Sequence, residues 1–269
     1  MYWSQASWVE LFRALMDYEG DDAYRDVLAS WPDRNPEERD WLSEMARVNP
    51  DDPTGPDDED MCRLYAASRV SSLLMLRFQD GRADGSDYRG PAVTVDGFRR
   101  FHEALGFRVP EAVPFHPFFH EIVGVEQSAS AQQPIGVERE SWPALMLGAM
   151  MYCRAGCFVM GGERHVVKEV AERSTLYWAY RRKNRRAEDA SLGWGSNSQW
   201  RTQFRRDYRT RMGFRFNVDR EESLNDTSGA IEGVDVTTWV ELVRHRCLIR
   251  TIPDALDLDP HYYSYDEPA

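Results

Sequence analysis

Residues 58–79, DEDMCRLYAASRVSSLLMLRFQ, form the stretch on which the fold reading turns. Three acidic residues open it, and Met61, Leu64, Tyr65, Leu73, Leu74, Leu76 and Phe78 follow with the spacing of a buried helix. Acidic side chains suit the positive end of a helix, so Asp58, Glu59 and Asp60 favour a start there. The pattern predicts a core helix over 58–79.

Upstream, Trp8, Leu11, Phe12 and Leu15 recur at helical spacing up to Gly20. A short helix is predicted over 22–30 and another over 37–48, opened by Asn35-Pro36, because proline is well placed in a first turn. Residues 51–60 (DDPTGPDDED) and 81–90 read as polar loops. Thr94 then caps a helix carrying Val95, Phe98, His102 and Leu105 on one face, with Gly106 closing it. His102 therefore sits on an apolar stripe, where a hydrogen-bonded core histidine is the plain reading.

The second half changes texture. Residues 121–127 (EIVGVEQ) and 157–160 read as short strands, and Phe214, Phe216 and Val218 alternate with polar residues. Helices are predicted at 143–152, 163–181, 197–210 and 236–248. The fold class expected is mostly α with a few short strands, in a single domain over 1–269. Within it, 1–110 is a helical scaffold, 112–220 a ligand-binding half, and 255–269 a tail that packs over the surface or is loose.

Composition narrows the function classes. The net charge of −12 opposes nonspecific binding to nucleic acid or an anionic membrane. No apolar run reaches the roughly 18–20 residues of a membrane span, and no basic-then-apolar leader opens the chain. Four irregularly spaced cysteines (Cys62, Cys153, Cys157, Cys247) do not read as a disulfide framework, so a cytoplasmic location is expected. Charge is uneven, however: residues 163–212 hold 13 Lys/Arg against 6 Asp/Glu, a local +7 that leaves −19 elsewhere. A local anionic partner, or pairing with acidic residues elsewhere, accounts for such a segment. No GxSxG elbow, phosphate-binding loop or GxGxxG fingerprint is present.

Three constellations could carry chemistry. In FHPFFHE (115–121), His116 and His120 lie four apart among phenylalanines, so a metal could be shared or one imidazole could move protons. The glutamate follows the second histidine, which excludes an HExxH site. Glu126, six residues past His120, could orient an imidazole. In SLGWGSNSQWR (191–201), Asn197, Ser198 and Gln199 crowd a predicted helix start between Trp194 and Trp200, a setting for a ring-bearing carboxylate. Along that helix, Arg201, Arg205 and Arg209 form one stripe able to grip a carboxylate, while Arg181–Arg186 reads as a solvated face.

Three segments, FHPFFHEIVGVEQ (115–127), AERSTLYWAYRR (171–182) and GWGSNSQWRTQFRRDY (193–208), resemble the heme-dependent aromatic oxygenases, nearest to the L-tyrosine 3-hydroxylases related to tryptophan 2,3-dioxygenase. The resemblance implies a helical fold, heme b held by a histidine, and hydroxylation of L-tyrosine or a close derivative at the 3-position with peroxide or oxygen, in antibiotic biosynthesis. It implies His116 and His120 as catalytic residues, with His120 on the iron. Asn197, Ser198, Trp200 and Arg201 would contact the amino-acid substrate; Leu192, Arg205 and His102 would lie at the cofactor. Leu192 stands where a histidine is expected in a Ser-His-Gly-Trp-Gly pattern, which puts the iron ligand in question. A homodimer is compatible with this reading. Two alternatives stay open: a non-heme metalloenzyme using His116, His120 and Glu121 or Glu126, and an acidic, Trp-rich protein that binds another protein, as immunity proteins do.

Overall fold

In a computed structural model of the chain, residues 5–51, 55–81, 88–188, 200–252 and 258–269 are described. The first hundred residues build a helical layer: α1 (Ala6–Met16), a π-helical turn (Tyr24–Leu28), α2 (Trp31–Arg34), α3 (Pro36–Met45), α4 (Asp58–Met75) running into a 3₁₀ turn (Leu76–Phe78), and α5 (Val95–Ala104). Local chemistry sets the boundaries. Asp57 caps α4 by accepting from the N–H groups of Glu59 and Asp60, and Thr94 caps α5 by accepting from Gly97. α4 is the central rod: Leu64, Val70, Leu73 and Leu74 are fully buried in one cluster with Trp8, Leu15, Phe98 and Phe101.

From residue 120 onward strands outnumber helices among the described elements: β1 (His120–Gln127), β2 (Gly136–Trp142), β3 (Leu145–Leu147), β4 (Met150–Cys153), β5 (Ala155–Gly161), a short α6 (Lys168–Ala171), β6 (Leu176–Tyr177), β7 (Ala187–Glu188), β8 (Tyr208–Thr210), β9 (Gly213–Phe216), β10 (Glu222–Ser223), β11 (Ala230–Ile231), β12 (Val234–Asp235), α7 (Val236–His245) and β13 (Tyr263–Pro268). One sheet has the order β1-β5-β2, with β1 parallel and β2 antiparallel to β5. The largest has the order β10-β13-β9-β8-β4-β3.

This overturns the mostly α expectation: the fold is mixed α/β, with 13 strands in four sheets among the described residues. The reason is visible at 143–152. That run is apolar on both sides of the chain because it is buried on both sides, and such a run carries no period to separate strand from helix. It folds as the hairpin of β3 and β4, with Leu147 paired to Met150 across Gly148-Ala149. Gly148 has a positive φ, the choice of a two-residue hairpin turn, and a Cβ there would overlap the Ala46 carbonyl at the end of α3. Among the described residues the helices predicted over 163–181 and 197–210 are likewise absent, apart from α6, and positions 197–199 lie outside those residues. Spacings of four keep one face in an extended chain as well as in a helix, so the stripe of arginines could not separate the two. The segment expected as a surface tail supplies β13, an interior strand of the six-stranded sheet. No helix among the described residues is long and apolar enough to cross a membrane.

Candidate functional site

Successive strand residues face opposite ways, and at the start of β1 that alternation separates two environments. His120 is buried against Phe115, stacked at 5.6 Å, which lines a groove together with His116, while Glu121 lines a cavity next to α4. The end of α7 repeats the division: His245 lines the groove and Arg246 the cavity.

The cavity has a volume of about 60 Å³. Its walls are one face of α4, the start of β1, the end of β4 and the segments 178–182 and 202–205. Four guanidiniums line it, from Arg154, Arg182, Arg205 and Arg246, and each residue is at least nine-tenths buried. Charges so placed need partners, because desolvation costs several kcal/mol per ion. Two carboxylates supply part of the balance. Glu121 takes Arg182 in a two-point grip, Nε to Oε1 at 2.7 Å and Nη2 to Oε2 at 2.9 Å. Asp207 accepts from Arg205 Nε and Arg246 Nη2, both at 2.8 Å, and from the N–H of Asn217. Backbone carbonyls complete more of it: Val243 for Arg205 and His245 for Arg154.

The balance does not close. Four cations face two carboxylates, and Nη1 of Arg205 and Nε of Arg246 are buried with no hydrogen-bond partner. Burial, together with neighbouring guanidiniums, drives Arg205 down to about 9 and Arg154 down to about 10. Glu121 goes the other way: the guanidiniums overcome burial and hold its carboxyl at about 2. Trp178 lies 4.1 Å from the Arg205 guanidinium, a cation–π contact that offers no hydrogen-bond acceptor. The frame is also strained. Trp178, Asn217 and Arg246 all have positive φ (53°, 54° and 60°), at a cost on the order of 1 kcal/mol each for residues with a side chain. Strain of this kind gathers where geometry serves a ligand.

The histidine side is bonded differently. His116 Nδ1 accepts from the Phe118 N–H at 3.1 Å, and its Nε2 lies 3.6 Å from Glu267, so the neutral ring has no lone pair to offer a metal. His120 Nδ1 sits 3.0 Å from both the N–H and the carbonyl of His116, and the ring is 4% exposed. Burial lowers the pKa of His120, and lowers that of His245 well below the ordinary range. No group of three metal-ligating side chains occurs among the described residues. Glu121 is committed to Arg182, and Glu126 lies six residues along β1 from His120, roughly 20 Å away at strand rise.

The other predicted site residues scatter. Leu192, Asn197 and Ser198 lie outside the described residues. Trp200 packs edge-on to Phe12 with the Arg69 guanidinium 4.1 Å from its ring, and Arg201 is exposed. His102 is a core residue, bonded to the Phe98 carbonyl and to Ser71. Arg205 is in the cavity, apart from His116 and His120. The described residues therefore do not assemble a heme slot: the imidazoles and the arginine meant for a propionate belong to different recesses. The cavity is also smaller than the roughly 150 Å³ that takes up a benzene ring.

Sequence reasoning passed over Arg154, Asp207 and Arg246. A lone arginine inside the apolar run MMYCRAGCFVM was a usable signal, because arginine is seldom buried without a purpose. Arg182 and Arg185, expected on a solvated face, are 7% and 6% exposed. All three quoted segments nevertheless reach the cavity: Glu121 from the first, Trp178 to Arg182 from the second, and Thr202 to Arg205 from the third.

No protein-family model, curated protein or solved structure matches this chain.

Proposed function

We propose that the chain binds a small oxyanion, of carboxylate or phosphate type, in the arginine cavity. One observation carries this reading: buried guanidinium N–H groups on Arg205 and Arg246 without acceptors, in a cavity where positive charge exceeds negative by two. An anion would supply both missing acceptors, and guanidinium donors match the oxygens of carboxylate and phosphate in geometry. Dispersion and hydrophobic contact are secondary in a space this small. Burial pushes the Cys153 thiol on the cavity wall up to about 12, so a thiolate nucleophile is not part of the reading.

A thermal-melt series of the full chain in inorganic phosphate, acetate and chloride at equal ionic strength tests it. Phosphate or acetate should raise the midpoint over chloride, and Arg205→Met should remove the gain. Identical midpoints in all three salts would count against the site.

Hydroxylation of tyrosine on heme b retains the support of the three sequence segments alone. A Soret band in protein expressed with a heme precursor is the observation that would bring it forward. A cytoplasmic location belongs to the same proposal, supported by four free cysteines, three of them buried.

A further inference from the structure

The cavity has two chemically opposite walls. One carries Arg205 and Arg246, each with a buried N–H group that has no hydrogen-bond partner. The other is formed by α4 and β4, where Ser71 and Tyr152 line the space with their hydroxyl oxygens 2.9 Å apart. Neighbouring groups determine where their protons go. The Phe98 carbonyl can only accept, so His102 Nδ1, 2.8 Å away, carries a proton and donates it. The buried ring is neutral, since burial holds its pKa at about 4, and Nε2 is therefore an acceptor. Ser71 Oγ lies 2.8 Å from that nitrogen and 3.3 Å from the Ala67 carbonyl, and gives its single proton to the nearer acceptor, whose lone pair has no other donor. The hydroxyl of Tyr152 must then donate to Ser71 Oγ. Ser68, next along the same wall, spends its proton on the Tyr65 carbonyl at 2.7 Å. These three hydroxyls have lone pairs for a ligand and no protons; Ser72, on the same face of α4, has no bonded acceptor among the described residues and keeps its own.

We infer that the cavity selects an oxyanion that still carries a proton, such as hydrogen phosphate, over a fully deprotonated one of the same shape, such as sulfate. Arg205 and Arg246 take the bare oxygens, and Tyr152 Oη takes the ligand's O–H. A bare oxygen against Tyr152 would set lone pair against lone pair in a buried site, where an unmade hydrogen bond is costly. The inference rests on the oxyanion reading above and specifies its ligand class.

Calorimetric titration of the full chain at neutral pH, with inorganic phosphate and with sulfate at matched ionic strength, decides the matter. Phosphate should bind at least tenfold more tightly. Tyr152→Phe, which removes the acceptor and keeps the ring, should weaken phosphate and relieve the clash with sulfate, so that the two affinities converge to within about threefold. Equal affinities in the unaltered chain would overturn the selectivity and leave the anion site standing. Binding of neither anion would overturn both, and the unaltered-chain comparison holds even if the variant fails to fold.

Discussion

The two sides of β1 and of the α7 terminus differ in how completely their polar groups are satisfied. On the groove side, His116 has its Nδ1 occupied by a backbone N–H, and Glu267 is held by Arg244 as well as lying near His116. On the cavity side, burial is deeper, the charges are larger and two guanidinium N–H groups stay unanswered. Histidines with local partners are accounted for by the fold, whereas buried guanidiniums with an unanswered N–H, one of them on a strained backbone, are the better candidates for binding. The contrast locates function by the incompleteness of the bonding, not by the glamour of the residue type.

The sharpest way to break the contrast is to remove the balance that exists. Glu121→Ala leaves Arg182 without its carboxylate and Arg154 without its nearest one. Urea unfolding should show a loss of about 3–5 kcal/mol. A loss under about 1 kcal/mol would mean water reaches the cluster.

Acid should act next, and on both sides at once. His102, His120 and His245 are all held below the ordinary imidazole range by burial, His102 at about 4. Between about 6.5 and 4 the unfolded chain takes up protons that the folded chain refuses, so stability falls as pH falls across that window. His102 alone contributes up to ~3 kcal/mol. The decline continues below about 4.5, because the Glu121 carboxyl protonates in the unfolded chain before it does at about 2 in the fold. Urea midpoints at pH 7, 5.5 and 4 measure this, and a level profile would contradict the burial of these rings.

A second substitution separates the sides by ligand affinity. Arg205→Met removes a cation that lacks its full complement, so unliganded stability should change by no more than about 1 kcal/mol, while oxyanion affinity drops at least tenfold. The smallest effect is expected from His116→Ala: under about 1 kcal/mol of stability, and oxyanion affinity within twofold. A tenfold loss there would return the histidine pair to the site.

The helical layer was legible because each element carries its own punctuation. Asp57 and Thr94 act as caps, Pro36 starts α3, and the apolar faces of α1 and α5 repeat at the helical period. The sheets were not, because Leu145 to Cys153 is buried on both faces and the Arg201/Arg205 spacing fits either period. The cavity was half legible. Segments 115–127, 171–182 and 193–208 were marked for ligand binding, but its charged ring also draws on Arg154, from the strand hairpin region, and Arg246, after α7. Only tertiary structure brings positions 121, 154, 182, 205 and 246 together.

β13 lies between β9 and β10, so the largest sheet gains an interior member from residues about fifty positions beyond its neighbour β9. Loop-closure entropy must be met before that docking returns any contact energy, a cost that the locally encoded helices do not carry. Asn217 bonds both Asp207 and the backbone of Tyr263, so the geometry of the arginine ring is tied to the docking of a strand distant in sequence.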